Sequence, residues 1–122
     1  MDEMAEQRLN AVFLALGDPT RRRLLSLLLE GDRTVGALAG SFEMSLAAIS
    51  KHLAILARAG LISQLRSGRS RTCRLEPAAL QEAALWMTGF GSFEADAFDV
   101  LERYLAEVLD DDDALSPARP DG

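Results

Sequence analysis

Apolar residues recur along this chain with two alternating periods, and the changes of period mark its elements. Leu9, Val12, Phe13 and Leu16 fall at i, i+3, i+4 and i+7 in an otherwise polar stretch, so Glu3 to Leu16 reads as an amphipathic helix. The pattern breaks at "GDPT", where Asp18 suits an N-cap and Pro19 the first position of a second helix. That helix carries Leu24, Leu25, Leu27, Leu28 and Leu29, expected to be mostly buried, and ends near Gly31. Thr34 caps a short third helix, "TVGALAGSF", with Val35, Leu38 and Phe42 pointing one way. Ser45 caps a fourth, "SLAAISKHLAILARAG", closed by Gly60 where a left-handed C-cap favours glycine.

After Gly60 the period shortens. "LISQL" is strand-like, "RSG" turns at Gly68, and "SRTCRL" returns as a partner strand, so the two form a hairpin. Glu76 and Pro77 open a last helical region reaching about Leu109, with a kink or break expected at "TGFGS", 88–92. Phe98, Leu101, Leu105 and Val108 resume an apolar face, and "DDDDALSPARPDG" has too much charge and proline to fold, so 110–122 is expected to be a disordered tail. The fold class is therefore mainly α with a small β-hairpin. A short helix, a turn, a second helix and a hairpin follow one another in the order of a winged helix-turn-helix. The expected organisation is an N-terminal helix at 1–16, the winged domain at 17–76 and a C-terminal helix at 77–109, kinked near 88–92.

Length and composition narrow the class. The chain has 122 residues, one domain by size, with 48% hydrophobic and 26% charged residues. No apolar run reaches the roughly 18 residues of a membrane span, and the acidic start "MDEMAEQRLN" does not resemble a secretory signal. One cysteine excludes an internal disulfide, and a cytoplasmic location is expected. No nucleophile elbow, phosphate-cradling loop or HExxH stands in the sequence, so enzymatic activity is not expected.

Charge changes the picture because it is sorted along the chain. The formal net charge is −6, yet Thr20 to Leu75 holds ten Lys/Arg against three acids, a local +7. The remainder holds three basic and sixteen acidic residues, a local −13. Four of the arginines fall within "RSGRSRTCR", the hairpin. On the fourth helix Ile49, Leu53 and Leu56 share the core side, while Ala47, Ser50, Lys51, Ala54 and Arg58 make a small, polar or basic outer face. Such a face fits a major groove about 12 Å wide. A hairpin tipped with Arg66, Arg69 and Arg71 reaches phosphates or a narrow minor groove beside it. Double-stranded DNA is thus the expected partner. Ser45, Leu46, Ala47, Ser50 and Lys51 would lie at base edges or adjacent phosphates, His52 in the same helix would pack or contact a phosphate, and Arg21 and Arg22 would serve as secondary phosphate contacts. Few of these recognition residues can make bidentate base contacts, so specificity leans on methyl contacts by Leu46 and Ala47 and on DNA shape.

"ALGDPTRRRLLSLLLEG", "TVGALAGSFEMSLAAISKHLAILARAGLI" and "GRSRTCRLEP" resemble the ArsR/SmtB family of bacterial winged-helix repressors, from about Phe13 to Pro77, with a looser likeness in "LERYL". The resemblance implies a homodimer built from the first and last helices, binding an inverted-repeat operator and repressing transcription. Leu9, Val12, Phe13, Leu16, Trp86, Phe90, Phe98, Leu101 and Leu105 are the expected dimer residues. The family's metal sensors use cysteines in the third helix or His and Asp clusters in the last. Here the third helix has neither Cys nor His and the last region has no His, so no metal or other cofactor is expected. Glu43 stands where many helix-turn-helix units place glycine.

Three alternatives accompany this reading. Cys73 beside Arg71 and Arg74 would be a redox switch if its thiolate were accessible, although its strand parity with Leu75 points it to the core. The aromatic stripe of Trp86, Phe90, Phe93, Phe98 and Tyr104 would line an effector pocket rather than an interface. The basic face would serve an acidic protein partner instead of DNA. The effector itself is not encoded in any motif, and no membrane partner is implied.

Overall fold

A computed structural model describes residues 2–91 and 102–109 of the chain. The expected tail at 110–122, together with Phe93, Phe98 and Leu101, lies outside the described residues. Two compact units divide the chain, 1–86 and 87–122.

In the first unit, α1 (Glu3–Leu16) opens on Asp2, whose carboxylate accepts from the Ala5 N–H. Helix α2 (Pro19–Leu28) is capped by Asp18 and has Pro at its start, as its sequence requires. The Asp18 carboxyl is held below its ordinary range, first by the hydrogen bond from the Arg21 backbone N–H and further by the nearby His52 and Arg21 charges. Leu24, Leu25 and Leu28 are buried and Leu27 is half-buried, but Leu29, still helical in backbone, is 73% exposed because it lies about 100° round the helix from Leu28, off the buried face.

Helix α3 (Val35–Ala39) is shorter than its apolar pattern suggests. The chain continues in turns in which Ser41 N–H donates to Leu38 O and Phe42 N–H to Ala39 O, and these still bring Phe42 onto the core. Helix α4 (Leu46–Arg58) is capped by Ser45 Oγ, which accepts from the Ala48 N–H at 3.1 Å. Its far end is a Schellman motif: Leu61 N–H donates to Leu56 O and Gly60 N–H to Ala57 O, with Gly60 at φ +78°. The turn between α3 and α4, including Glu43, needs no left-handed residue, since no described residue other than glycine has positive φ.

Strands β2 (Ile62–Ser67) and β3 (Ser70–Leu75) pair antiparallel from Ile62 opposite Leu75 to Ser67 opposite Ser70. Gly68 at φ +61° occupies the first central position of the tight turn, where a type II′ hairpin places its one positive φ. The hairpin is not alone. A two-residue strand, β1 (Arg33–Thr34), adds to the other edge of β3, with Arg33 opposite Cys73 and Thr34 opposite Thr72, giving the order β1-β3-β2. This ties the start of α3 to the hairpin and fixes the wing against the helices.

The core is one cluster. Val12, Leu24, Leu38, Ile49, Leu53 and Leu56 meet Leu61 from the end of the α4 cap, Ile62 and Cys73 from the sheet and Ala83 from α5 (Pro77–Thr88). Helix α5 stops at Thr88, beside the glycines expected to break it, with Phe90 N–H donating to Met87 O in the following turn. In the second unit, residues 102–109 are helical. No helix of the described residues is long and apolar enough to cross a membrane.

Candidate nucleic-acid interface

The inner face of α4 settles its orientation. Ile49, Leu53 and Leu56 are fully buried, so the opposite face, with Ala47, Lys51, Ala54 and Arg58 exposed and Ser50 half-exposed, is turned to solvent. Leu46 in the first turn is 58% exposed. Ser45 keeps its O–H available to donate, since its capping bond uses the oxygen as acceptor.

Beside this face stands the wing. Arg66, Arg69 and Arg71 are all exposed, and the strand register sets Arg66 directly opposite Arg71. Like charges opposite one another destabilise a two-stranded ribbon. The only side-chain hydrogen bond of this pair among the described residues is a long one, Arg71 Nη1 to Gln64 Oε1 at 3.4 Å. An anion placed between two such guanidinium groups would convert repulsion into two charge-assisted bonds. Arg69 and Arg71 share a cleft of about 330 Å³ with Ser50 and Leu46 of α4 and Thr34, Val35 and Gly36 of the β1–α3 junction. The cleft brings the wing, α4 and the start of α3 to one place.

Other basic residues are otherwise engaged. Arg21 sends Nε to Ala15 O at 2.7 Å and Nη2 to Leu14 O at 3.1 Å, while Nη1 lies 3.3 Å from His52 Nδ1. Arg22 Nη1 donates to Leu16 O at 2.7 Å. Both donate to carbonyls of the last turn of α1, so these bonds engage the two arginines expected at phosphates. Arg23 stacks over the Phe42 ring at 5.1 Å. Arg33 bonds Leu27 O and Glu30, and Arg74 pairs with Asp32 at 2.9 Å. Arg74, one of the four hairpin arginines, therefore faces an acid rather than the cleft. Lys51, Arg58, Arg66 and Arg69 make no ion pair among the described residues. The +7 thus resolves into a structural set and a smaller exposed set concentrated on α4 and the wing.

His52 lies on α4 but points back. It is half-buried, with Nδ1 against Arg21 and 3.9 Å from Asp18 Oδ2, which links the recognition helix to the α1–α2 corner. Sequence reasoning placed it in the recognition helix and left packing or phosphate contact open; the geometry is the packed one. Nothing in the sequence marks the carbonyl acceptors that hold Arg21.

Cys73 is fully buried in the core. Burial pushes its thiol above the ordinary range, outweighing the Gln64 hydrogen bond and the Arg71 charge that favour the thiolate. The thiolate that a redox switch requires is disfavoured, because desolvation exceeds the pull of Arg71 and Gln64. Among the described residues no group of three His, Cys, Asp or Glu converges where a metal ion would sit.

The apolar face expected at a dimer interface divides. Val12 is buried in the chain's own core and is unavailable to a partner, while Leu9 and Leu16 are half-buried against it. Phe13 and Trp86 meet edge-on at 5.6 Å and stay 37% and 41% exposed, with Leu85 also exposed on α5. In the second unit Phe90 and Leu105 are exposed.

Comparison with known proteins identifies what kind of head this is. Residues 18–64 match the model of "Bacterial regulatory protein, arsR family". The transcriptional repressor SdpR of Bacillus subtilis (strain 168) is 44% identical over 82 residues, spanning 67% of this chain and 91% of that protein. The transcriptional activator HlyU of Vibrio cholerae serotype O1 is 33% identical over 72 residues, spanning 57% of this chain and 67% of that one. An ArsR-like transcriptional regulator from Rhodococcus sp. RHA1 superposes with a TM-score of 0.67 at 28% identity, covering 91% of this chain and 98% of its own. Its relatives are regulators of transcription and not enzymes, and with its recognition helix, wing and similarity to SdpR this chain belongs to the ArsR family of DNA-binding transcriptional regulators.

Proposed function

We propose that the protein acts as a homodimeric repressor that binds an inverted-repeat operator in duplex DNA. The observation that carries this reading is the Arg66–Arg71 pair, opposed across the wing beside the exposed face of α4. In this reading α4 lies in the major groove with Leu46, Ala47, Ser50 and Lys51 toward base edges and adjacent phosphates. Arg66, Arg69 and Arg71 hold the backbone or the neighbouring minor groove. Arg21, Arg22 and His52 support the head from behind and leave the contact set.

Dimerisation is supported by the exposed aromatic pair Phe13–Trp86 and by Leu85 on the α1 and α5 surfaces of the first unit. Two heads related by a two-fold axis place their recognition helices one DNA turn apart, about 34–36 Å, which an inverted repeat matches. Repression is the direction favoured by the 44% identity to SdpR, named as a repressor; HlyU, named as an activator, is the more distant of the two.

Selection of bound duplexes from a random pool tests the reading. A two-fold symmetric consensus with half-sites about 10 base pairs apart is the expected outcome. Recovery of no sequence at low salt would overturn it, and would turn attention to an acidic protein as the partner of the same face.

A further inference from the structure

The exposed face of α4 carries an apolar tip within a basic surround. Leu46 is 58% exposed, Ala47 beside it is exposed, and Met44 just before the cap is 38% exposed. The polar groups of this face are few and simple. Ser45 Oγ already accepts from Ala48 N–H, Ser50 offers one hydroxyl, and Lys51 is a point charge. From Ser45 to Ala57 there is no Arg, Asn, Gln, Asp or Glu. Over these residues the Arg, Asn and Gln side chains that read guanine or adenine through paired bonds, and the carboxylate that accepts from cytosine, are absent; Lys51 is the one charged reader, and Arg58 stands at the far C-terminal end of the helix from Leu46.

A base edge in the major groove offers one apolar group, the C5-methyl of thymine. Leu46 lines the same cleft as Arg69 and Arg71, so the charge that would draw a phosphate backbone stands beside the leucine. A hydrophobic protein partner would not need that flanking charge; a methyl group set among phosphates requires both. Resting on the DNA-binding reading above, we infer that Leu46, seconded by Ala47, is the specificity-determining residue of this protein and that its ligand is the thymine methyl on the major-groove edge.

Deoxyuridine isolates that methyl, because it keeps the pairing and every hydrogen-bonding group of thymidine. Fluorescence anisotropy of the full chain on its selected duplex, with deoxyuridine replacing thymidine one position at a time, reads the contribution directly. At one position in each half-site affinity falls about fourfold, the worth of one buried methyl-sized group, and about fifteenfold when both half-sites are changed. Leu46→Ala binds the thymine and uracil duplexes equally, whereas Leu46→Met, which keeps an apolar tip, retains the difference. Because Leu46 is exposed, both variants keep the parent's melting temperature. If every replacement leaves affinity within about 1.5-fold, or Leu46→Ala discriminates as well as the parent, the inference fails while the DNA-binding reading stands. A protein that selects no duplex at all fails the underlying reading first.

Discussion

Arg21 separates a structural arginine from a DNA-binding one, and its removal gives opposite results for the two. Its guanidinium makes two bonds to the carbonyls of Ala15 and Leu14 and reaches His52. Hydrogen bonds from a charged donor are worth about 1.5–3 kcal/mol each. Ala15 is fully buried, so deleting the side chain leaves its carbonyl without water, and most of that value is lost. Leu14 is exposed, so water replaces the second bond at a cost of a few tenths. Arg21→Ala is therefore expected to lower stability by about 2–3 kcal/mol, a large share of the roughly 5–15 kcal/mol of a domain. In urea titration, with a slope of about 1–3 kcal/mol/M, the midpoint drops by about 1–2 M at unchanged slope. Arg21→Lys keeps the charge but lacks the fork that spans two carbonyls, and recovers less than half. The salt dependence of DNA binding stays that of the parent. A midpoint within about 0.3 M of the parent, with a salt slope reduced by about 0.9 for each lost contact, would refute the reasoning and return Arg21 to the phosphates.

Two further expectations follow from the backbone and the core. Gly60→Ala costs about 1–2 kcal/mol in the same titration, a purely conformational penalty, since φ is +78° and an added Cβ meets nothing within 4 Å; an unchanged midpoint would contradict the left-handed cap. Cys73 in the native protein reacts with a thiol reagent at pH 7.5 roughly tenfold or more slowly than a cysteine peptide, because its thiol is buried and its thiolate disfavoured. The folded state keeps this proton where the unfolded chain loses it, so stability is full below the ordinary thiol value of about 8.5 and falls as pH rises above it. Reaction at the peptide rate would restore the redox alternative.

What the sequence reveals follows the range of the interaction that fixes it. Asp18 with Pro19, Ser45 and Gly60 are local signals, since each bonds a backbone group within a few residues, and all three appear where their chemistry puts them. Gly68 likewise marks the hairpin, whose paired strands follow from it. Strand β1 was not legible: two residues carry no period, and Arg33 is paired with Cys73, forty positions on. The partners of the R-R-R run at 21–23 were hidden in the same way. Its charge is visible, but its acceptors are carbonyls and a ring brought near only by the packing of α1 and the α3–α4 turn. Leu29 looked like core because a run of leucines hides which of them face inward; it lies off the face that Leu24, Leu25 and Leu28 share. On the interface the exposed face of α4 was legible from periodicity, whereas the division of the arginines into capping and exposed sets was not.

The central claim is that the wing holds DNA through Arg66, Arg69 and Arg71. Affinity for the selected duplex, measured against salt concentration for the parent and for Arg69→Ala with Arg71→Ala, tests it most directly. Each wing in contact is expected to lose about 1.8 from the slope of log affinity against log salt, at roughly 0.9 per phosphate, while Arg74→Ala, whose partner is Asp32, leaves the slope alone. Equal slopes for the parent and the double variant would contradict the account.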